Sequence, residues 1–215
     1  MAQFVSVLFH PLYVVVYVYA LFTIVNPFQF SNFNRTEQGV FFISLMVLSV
    51  IIPIVSILMM KFLGMIGGLE MEERTDRIGP LIVTGICYLW LTINFYKNGE
   101  IPQFLTSFML GATISLFLGF LINLAEKISL HTVGFGGLIA AYCIMIYKYG
   151  YGFATINFAG VEYYVHLMLI LAILIFLGGL IGSARLYLGR HVSREVYGGF
   201  LVGMIGQVIA LRIIF

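Results

Sequence analysis

Residues 101–125 read IPQFLTSFMLGATISLFLGFLINLA and contain no charged side chain. A helix of about 20 residues crosses the hydrocarbon core of a bilayer, so this stretch is long enough to span a membrane. Six more uncharged intervals lie on either side of it, over residues 1–34, 38–60, 78–96, 128–147, 163–184 and 196–211. The sequence therefore predicts a membrane protein with up to seven spans.

The composition indicates the same environment. The 215 residues are 61% hydrophobic and only 9% charged, with a net charge of +2. Soluble domains carry roughly 25% charged residues, so this chain lacks the polar side chains needed to cover a water-facing surface. The small net charge and the interleaved acids exclude the broad basic face that nucleic-acid binding requires. We expect the lipid bilayer as the solvent and no nucleic acid as a partner.

We predict an all-α fold: a polytopic transmembrane helical bundle of about six to seven spans, forming one integral membrane domain over residues 1–215. Segments of about 20 apolar residues favour helices, because a membrane β-barrel uses strands of about 10 residues with alternating polarity. The seventh interval is short, and it reaches spanning length only if its helix begins near His191. The stretch from Ile78 to Phe95 is alternatively re-entrant, which would leave six spans.

Small residues and two histidines give weaker indications. The glycine pairs four residues apart, Gly178 with Gly182 and Gly199 with Gly203, are compatible with close helix packing, although glycine is frequent in this chain. His10 precedes Pro11 and is predicted at a membrane boundary. His166 is predicted at an interface, where it bonds to a neighbouring group.

Charged and polar side chains collect in three connections, Glu70 to Pro80, Glu126 to His131, and Arg185 to Glu195. If the spans alternate, these connections share one membrane face with the N-terminus. Arginine offers forked donors for phosphate oxygens, and histidine exchanges protons near neutral pH. The combination favours a pocket for a phosphoryl group. The alternative is a set of solvated loops whose basic residues mark the cytoplasmic side.

The third connection is the most specific of the three. His191 and Glu195 are four residues apart, so on a helix they share one face and the carboxylate can orient the imidazole. A histidine held through one ring nitrogen keeps the other nitrogen free as a nucleophile or base. The spacing alone also suits an incidental surface pair, but Arg185 in the same connection favours a site.

These residues resemble the third motif of the type 2 phosphatidic acid phosphatase superfamily, S-R-x5-H-x3-D. Arg185, His191 and Glu195 keep every interval of that motif, and Ser183 lies one place early. The spacing of this motif is fairly specific, and it places the resemblance at the end of the chain where the charges gather.

The other two motifs of the family are matched less completely. The second motif, P-S-G-H, is similar to residues 128–131, which read ISLH. The first motif, K-x6-R-P, is similar only to the stretch from Arg74 to Pro80, with Glu70 at the Lys position counted back from Arg77. The resemblance covers a phosphatase-like core of about residues 70–205, in the family's order.

The resemblance implies a metal-independent lipid phosphate phosphatase that needs no cofactor. Its catalytic residues would be His191 as the phosphohistidine nucleophile, Glu195 in the place of the family's Asp, and His131 as the general acid. Arg185, Ser129, Arg77 and Arg74 would bind the phosphoryl oxygens of a membrane lipid phosphomonoester or diphosphate. Many bacterial members have an outward, often periplasmic, active site in the inner membrane, and the same orientation is expected here.

Departures from the family pattern support a second interpretation. Glu195 replaces Asp, Leu130 replaces Gly, and the first-motif Lys is missing, so the chain is alternatively a catalytically inactive relative that binds a lipid phosphate or acts as a membrane partner subunit. A transporter or channel is a third interpretation. It is disfavoured because ionisable residues are nearly absent from the interior of the predicted spans. The sequence defines neither the particular lipid nor an oligomeric state.

Overall fold

The computed structural model describes residues 2–71, 73–150, 152–158 and 161–215. Among these residues, seven helical segments are long and apolar enough to cross a bilayer, which makes the chain a multi-pass membrane protein. We number them spans 1 to 7: Ala2–Val25, Arg35–Phe62, Thr75–Lys97, Gln103–Ala125, Leu130–Tyr149, Leu167–Tyr187 and Ser193–Ile214. The predicted all-α bundle is confirmed, and the stretch from Ile78 to Phe95 belongs to a spanning helix.

Three of the spans contain more than one helical element. Span 1 comprises α1 (Ala2–Leu8), a 3-10 turn (Pro11–Tyr13) and α2 (Val14–Val25), and a further 3-10 turn (Pro27–Phe30) follows it. Span 2 comprises α3 (Arg35–Met46), a π-helical turn (Val47–Ile51) and α4 (Ile52–Phe62), and span 3 comprises a 3-10 turn (Thr75–Arg77) and α5 (Ile78–Lys97). The remaining spans are single helices, α6 (Gln103–Ala125), α7 (Leu130–Tyr149), α8 (Leu167–Tyr187) and α9 (Ser193–Ile214).

Span 1 is interrupted at His10 and Pro11. Proline has no backbone N–H and its ring disfavours a preceding helical turn, so α1 ends at Leu8 and the chain returns to helix through the 3-10 turn. The Nδ1 atom of His10 accepts a hydrogen bond from the backbone N–H of Leu12 at 3.4 Å. His10 therefore lies at a break within span 1.

Helix α9 packs most extensively against α6 and α7, and glycines make that contact close. A Cβ atom added to Gly203 would lie 2.1 Å from the carbonyl oxygen of Val133 and 2.5 Å from the backbone nitrogen of Gly137. One added to Gly199 would lie 2.1 Å from Oγ1 of Thr132. The helices thus meet backbone to backbone, as small residues allow in lipid, and the packing predicted for this glycine pair is confirmed.

The second glycine pair makes a looser contact. A Cβ atom added to Gly178 would lie 3.2 Å from Cδ1 of Ile139, and one added to Gly182 would lie 3.3 Å from Cγ1 of Val196. Both neighbours are side-chain ends that can shift. This pair brings α8 near α7 and α9 without the backbone contact that Gly203 makes.

The connection between spans 5 and 6 contains a β-hairpin that the sequence did not predict. Strand β1 (Phe153–Phe158) pairs antiparallel with β2 (Val161–His166), with Phe153 opposite His166. Both strands are rich in the β-branched and aromatic residues that favour strands. The Nδ1 atom of His166 then caps α8 by accepting a hydrogen bond from the backbone N–H of Met168 at 3.1 Å, which matches its predicted interfacial position.

Candidate active site

The predicted site residues lie at one membrane face. Because seven spans alternate, the N-terminus shares this face with the connections that follow spans 2, 4 and 6, and we call it the site face. A cavity of about 450 Å³ begins there, and its walls include His131, His191, Arg77 and Arg185. Four of the seven predicted site residues, contributed by spans 3, 5 and 6 and by the connection after span 6, therefore border one space.

The same cavity continues far into the bundle. Its apolar walls include Val14, Val15, Ile54, Ile57, Leu81 and Phe108. Phe108 is the sixth residue of α6, which begins at the face opposite the site face. The 17 residue-to-residue steps from Phe108 to Ala125, at 1.5 Å each, correspond to about 26 Å along the helix. The cavity thus joins a charged entrance to an apolar interior.

His191 and Glu195 form the predicted pair, although His191 is not on the helix. Helix α8 ends at Tyr187, and Gly189 adopts a φ of +64°, a left-handed conformation that glycine accepts without strain. This turn leads to His191, two residues before α9 begins, while Glu195 lies in the first turn of α9. The Nδ1 atom of His191 lies 2.5 Å from Oε2 of Glu195.

The contact with Glu195 assigns the protons of the His191 ring. A carboxylate oxygen accepts, so Nδ1 carries the hydrogen and the neutral ring has its lone pair on Nε2. Burial lowers the pKa of His191 below its ordinary value of 6.5, the hydrogen bond to Glu195 opposes that change, and the charges of Arg185 and Arg77 add to the lowering. The ring is therefore neutral at pH 7 with a free nitrogen, as a nucleophile requires.

Arg185 and Arg77 place two positive charges beside His191. Nη1 of Arg185 donates to Oγ of Ser6 at 2.7 Å, whereas its buried Nε has no hydrogen-bond partner among the described residues. Arg77 is buried, and its Nε donates to the carbonyl of Met71 at 2.9 Å. Buried N–H groups in proteins are normally hydrogen-bonded, so the Nε–H group of Arg185 is suited to an acceptor supplied by a ligand. An anionic oxygen is the acceptor that a guanidinium group binds most strongly.

His131 is held by span 1, which the sequence did not connect with the site. Its Nε2 lies 3.0 Å from the carbonyl oxygen of Ser6. The ring centroids of His131 and His10 are 5.4 Å apart at an angle of 79°, and both rings line the cavity. Ser6 and His10 are thus two additional site residues. The sequence feature that could have identified His10 is its position before Pro11 inside an apolar stretch, since polar residues within membrane spans are commonly functional.

Two predicted phosphate-binding residues have other positions. Arg74 is exposed, and its Nη1 donates to the carbonyls of Leu124, at 3.2 Å, and Ala125, where it caps the end of α6. Ser129 is fully buried, and its backbone N–H donates to the carbonyl of Glu195 at 3.3 Å. Neither residue belongs to the cavity wall. The structure therefore does not bring Arg74 or Ser129 to the place where they were predicted to act.

Glu70, which departs from the first motif of the family, forms an ion pair at the cavity entrance. Glu70, which stands at the Lys position of that motif, lies 3.1 Å from Nη2 of Arg190, and both residues line the cavity. Glu72 of the same connection lies outside the described residues. Leu130, which replaces the second-motif Gly, also borders the cavity. The entrance therefore contains an acid and an apolar side chain where the family pattern has a cation and a glycine.

Comparisons with known proteins identified no relative. No protein-family model, no curated protein and no solved structure matches the chain.

Proposed function

We propose that this protein is a lipid phosphate phosphatase that hydrolyses a phosphomonoester or diphosphate of a membrane lipid through a phosphohistidine on His191. One observation supports this function most strongly. A buried histidine, bonded through Nδ1 to Glu195, lies beside two arginines in a cavity that also contains a second histidine. The order and spacing of these residues are similar to those of the type 2 phosphatidic acid phosphatase superfamily.

In the first half of the reaction, Nε2 of His191 attacks the phosphorus and the bond from phosphorus to the lipid oxygen breaks. Throughout this step Glu195 accepts a hydrogen bond from the Nδ1–H group of His191, and its negative charge stabilises the positive charge that develops on the ring. Arg185 and Arg77 bind the phosphoryl oxygens, where charge-matched donors stabilise the transition state. Because two guanidinium groups supply this positive charge, we propose that no divalent metal is required.

His131 supplies the proton for the leaving oxygen. A carbonyl oxygen only accepts, so Nε2 of His131 keeps its hydrogen on Ser6, and the ring acts as an acid when Nδ1 is also protonated. In the second half of the reaction, water attacks the phosphorus of the phosphohistidine and the P–N bond breaks. One proton of that water returns to Nδ1 of His131, and inorganic phosphate leaves.

The depth of the cavity supports a lipid as the substrate. A soluble phosphate ester needs only the charged entrance, whereas the apolar walls reach from Leu81 near the site face to Phe108. An amphiphile would place its phosphate between the arginines and its hydrocarbon chain along those walls. We therefore propose that the substrate chain lies inside the bundle during the reaction.

A direct test is the release of inorganic phosphate from lipid phosphates in detergent containing EDTA. The proposed enzyme releases phosphate from at least one member of a panel that includes phosphatidic acid, phosphatidylglycerol phosphate and a polyprenyl diphosphate. Inactivity of the wild type across this panel would contradict the proposal. It would instead favour a protein that binds a lipid phosphate without hydrolysing it, the alternative suggested by Leu130 and Glu70.

The Arg185→Lys variant tests the guanidinium fork. Lysine keeps the charge, but it cannot bond Ser6 and a phosphoryl oxygen through a planar group at the same time. We expect kcat/KM to fall roughly 10- to 100-fold, the loss that one hydrogen bond to a charged group represents. Arg212→Lys, at the opposite face, is the matched control and should keep wild-type activity. Equal activity of the two variants would exclude Arg185 from phosphoryl binding.

The protonation of His191 can be measured without substrate. Because its pKa lies below the ordinary 6.5 in the folded protein, lowering the pH from 8 through 6.5 should leave the ring neutral, and protonation should follow only at lower pH. An NMR titration of ring-labelled histidine, with His191→Gln to assign the signal, reports this directly. A midpoint at or above pH 6.5 would show that burial and the two arginines do not control this ring.

We also propose a location for the site face. The family resemblance favours a bacterial inner membrane with this face in the periplasm. A cysteine introduced at Glu73 on the site face should then react with an impermeant thiol reagent in intact cells, whereas one at Asn34 on the other face should not. The reverse labelling pattern would place the site in the cytoplasm.

A further inference from the structure

We infer that Ser6 is a further substrate-binding residue, whose hydroxyl group donates a hydrogen bond to a phosphoryl oxygen of the lipid phosphate. This inference rests on the proposed function, because it concerns how the same cavity binds the phosphoryl group. Three observations carry it: the position of Ser6 in the cavity wall, the hydrogen bond that its side-chain oxygen accepts, and the hydrogen that remains on that oxygen.

Ser6 lies beside two of the proposed active-site residues. It belongs to α1 at the site face, is only 8% exposed, and borders the cavity together with Arg185 and His131. Its backbone carbonyl oxygen lies 3.0 Å from Nε2 of His131, and its Oγ lies 2.7 Å from Nη1 of Arg185. One residue of span 1 therefore contacts both a phosphoryl-binding arginine and the general acid of the proposed reaction.

The bond to Arg185 uses the oxygen of the Ser6 hydroxyl group and leaves its hydrogen. A guanidinium group only donates, so Oγ of Ser6 is the acceptor, and a hydroxyl group still has one hydrogen of its own to donate. Among the described residues, none accepts that hydrogen. Buried polar hydrogens are normally bonded, so the hydroxyl group of Ser6 is suited to an acceptor that a ligand supplies.

Other buried hydroxyl groups in the helices are bonded differently. Those of Thr84, Thr92 and Ser115 each donate to the carbonyl oxygen four residues earlier, at 2.8 Å. The equivalent acceptor for Ser6 is the carbonyl oxygen of Ala2, and these two described residues share no such bond. The hydroxyl hydrogen of Ser6 is therefore not used by its own helix and is available to a ligand in the cavity.

A phosphoryl group is the ligand that matches these donors. A hydroxyl group that accepts one hydrogen bond becomes a stronger donor of another, and the bond from the Arg185 guanidinium has this effect on Ser6. The buried Nε–H group of Arg185 also lacks an acceptor within the described part of the chain. One phosphoryl oxygen would bind to Nε of Arg185 and a second to Oγ of Ser6. Ser6 thus takes the role predicted for Ser129, which does not border the cavity.

Binding of decylphosphonate tests this contact without hydrolysis. Carbon replaces the bridging oxygen of a lipid phosphate in this probe, so the P–C bond is not cleaved and the phosphoryl oxygens remain. Its Kd is measured by calorimetric titration of the whole chain in detergent containing EDTA. The Ser6→Ala variant removes the hydroxyl group but keeps the backbone carbonyl that bonds His131. Alanine is the better helix former, so α1 should be retained, and thermal unfolding verifies the fold.

We expect Ser6→Ala to raise the Kd of decylphosphonate by about 10-fold, the lower end of what one hydrogen bond to a charged group represents. Ser49→Ala is the matched control. Ser49 is also buried, but its hydroxyl group donates to the carbonyl oxygen of Leu45 at 2.7 Å, and it does not border the cavity. The control variant should keep the wild-type Kd.

The Arg185→Lys background separates direct donation by Ser6 from an indirect effect through Arg185. An ammonium group has three rotatable donors and no plane that Ser6 could orient. If Ser6 donates to the phosphoryl group, Ser6→Ala should raise the Kd by a similar factor in this background. If Ser6 acts only by orienting the guanidinium group, Ser6→Ala should have no further effect once that group is absent.

Three results would overturn this inference: an unchanged Kd in Ser6→Ala, an equal loss in Ser49→Ala, or a loss that disappears in the Arg185→Lys background. Phosphate release by the wild type would leave the proposed function standing in each case. Conversely, a wild-type protein that binds decylphosphonate with the expected dependence on Ser6, but hydrolyses no lipid phosphate, would overturn the phosphatase function and keep this contact.

Discussion

Replacing His191 with glutamine is expected to lower the hydrolysis of a lipid phosphate by roughly 10⁴-fold or more, the scale observed when a nucleophile is removed. Glutamine is similar in size and retains a polar group near Glu195, but it has no lone pair that can form a phosphoenzyme. The arginines should still bind the substrate. We therefore expect the loss in kcat, with KM changed much less.

The His166→Gln variant is the control for this experiment. It makes the same chemical change at the opposite face, where the ring caps α8 and packs against Phe153. Its kcat should remain within a small factor of the wild-type value. If His191→Gln retained activity within tenfold of the wild type, His191 would not be the nucleophile, and the cavity would need another role.

The second large effect concerns the fold. Gly203→Ala places a methyl group 2.1 Å from the carbonyl oxygen of Val133 and 2.5 Å from the backbone nitrogen of Gly137. Backbone atoms cannot move aside as a flexible side chain can, so α9 must separate from α7. We expect the free energy of unfolding to fall by about 3 kcal/mol, the upper part of the range for overpacked sites.

Gly198→Ala is the matched control on the same helix, since a Cβ atom there meets nothing within 4 Å. Alanine is the better helix former, so this variant should be unchanged or more stable by up to about 1 kcal/mol. Unfolding in mixed detergent micelles compares the two. Equal stability of the two alanine variants would mean that α9 and α7 are not in backbone contact.

The membrane spans were predictable because charge is costly inside a bilayer, so charged residues mark where spans end. The shortest interval, 196–211, illustrates this well. It reaches spanning length because α9 begins at Ser193 and includes Glu195 in its first turn, where the helix dipole favours an acid. The hairpin was missed because residues 163–166 continue an apolar interval without any charge that would mark a strand.

The sequence predicted the contacts of the site only between residues that are close together along the chain. Arg185 and His191 are joined by one short turn, so their proximity follows from local sequence. His131 and Ser6 are 125 residues apart, and their contact depends on where the break at Pro11 directs span 1. No local pattern encodes such a contact. The motif order therefore identified His131 but could not reveal the residues that hold it.

Arg74 and Ser129 show the opposite error. Both lie in the connections that bring charges to the site face, and both have side chains suited to phosphate. The carbonyls at the end of α6 have no partners within the helix, and Arg74 bonds to two of them across about 50 residues of chain. Residue type alone cannot distinguish an arginine that binds a ligand from one that caps a helix.

Trapping the covalent intermediate tests the central claim most directly. The protein is mixed with a lipid phosphate labelled with ³²P in the presence of EDTA, quenched within the first turnover, and digested for mass spectrometry. We predict an acid-labile, base-stable phosphoryl group on Nε2 of His191 that is absent from His191→Gln. Turnover without any phosphorylated histidine, or with the label on another residue, would contradict the account.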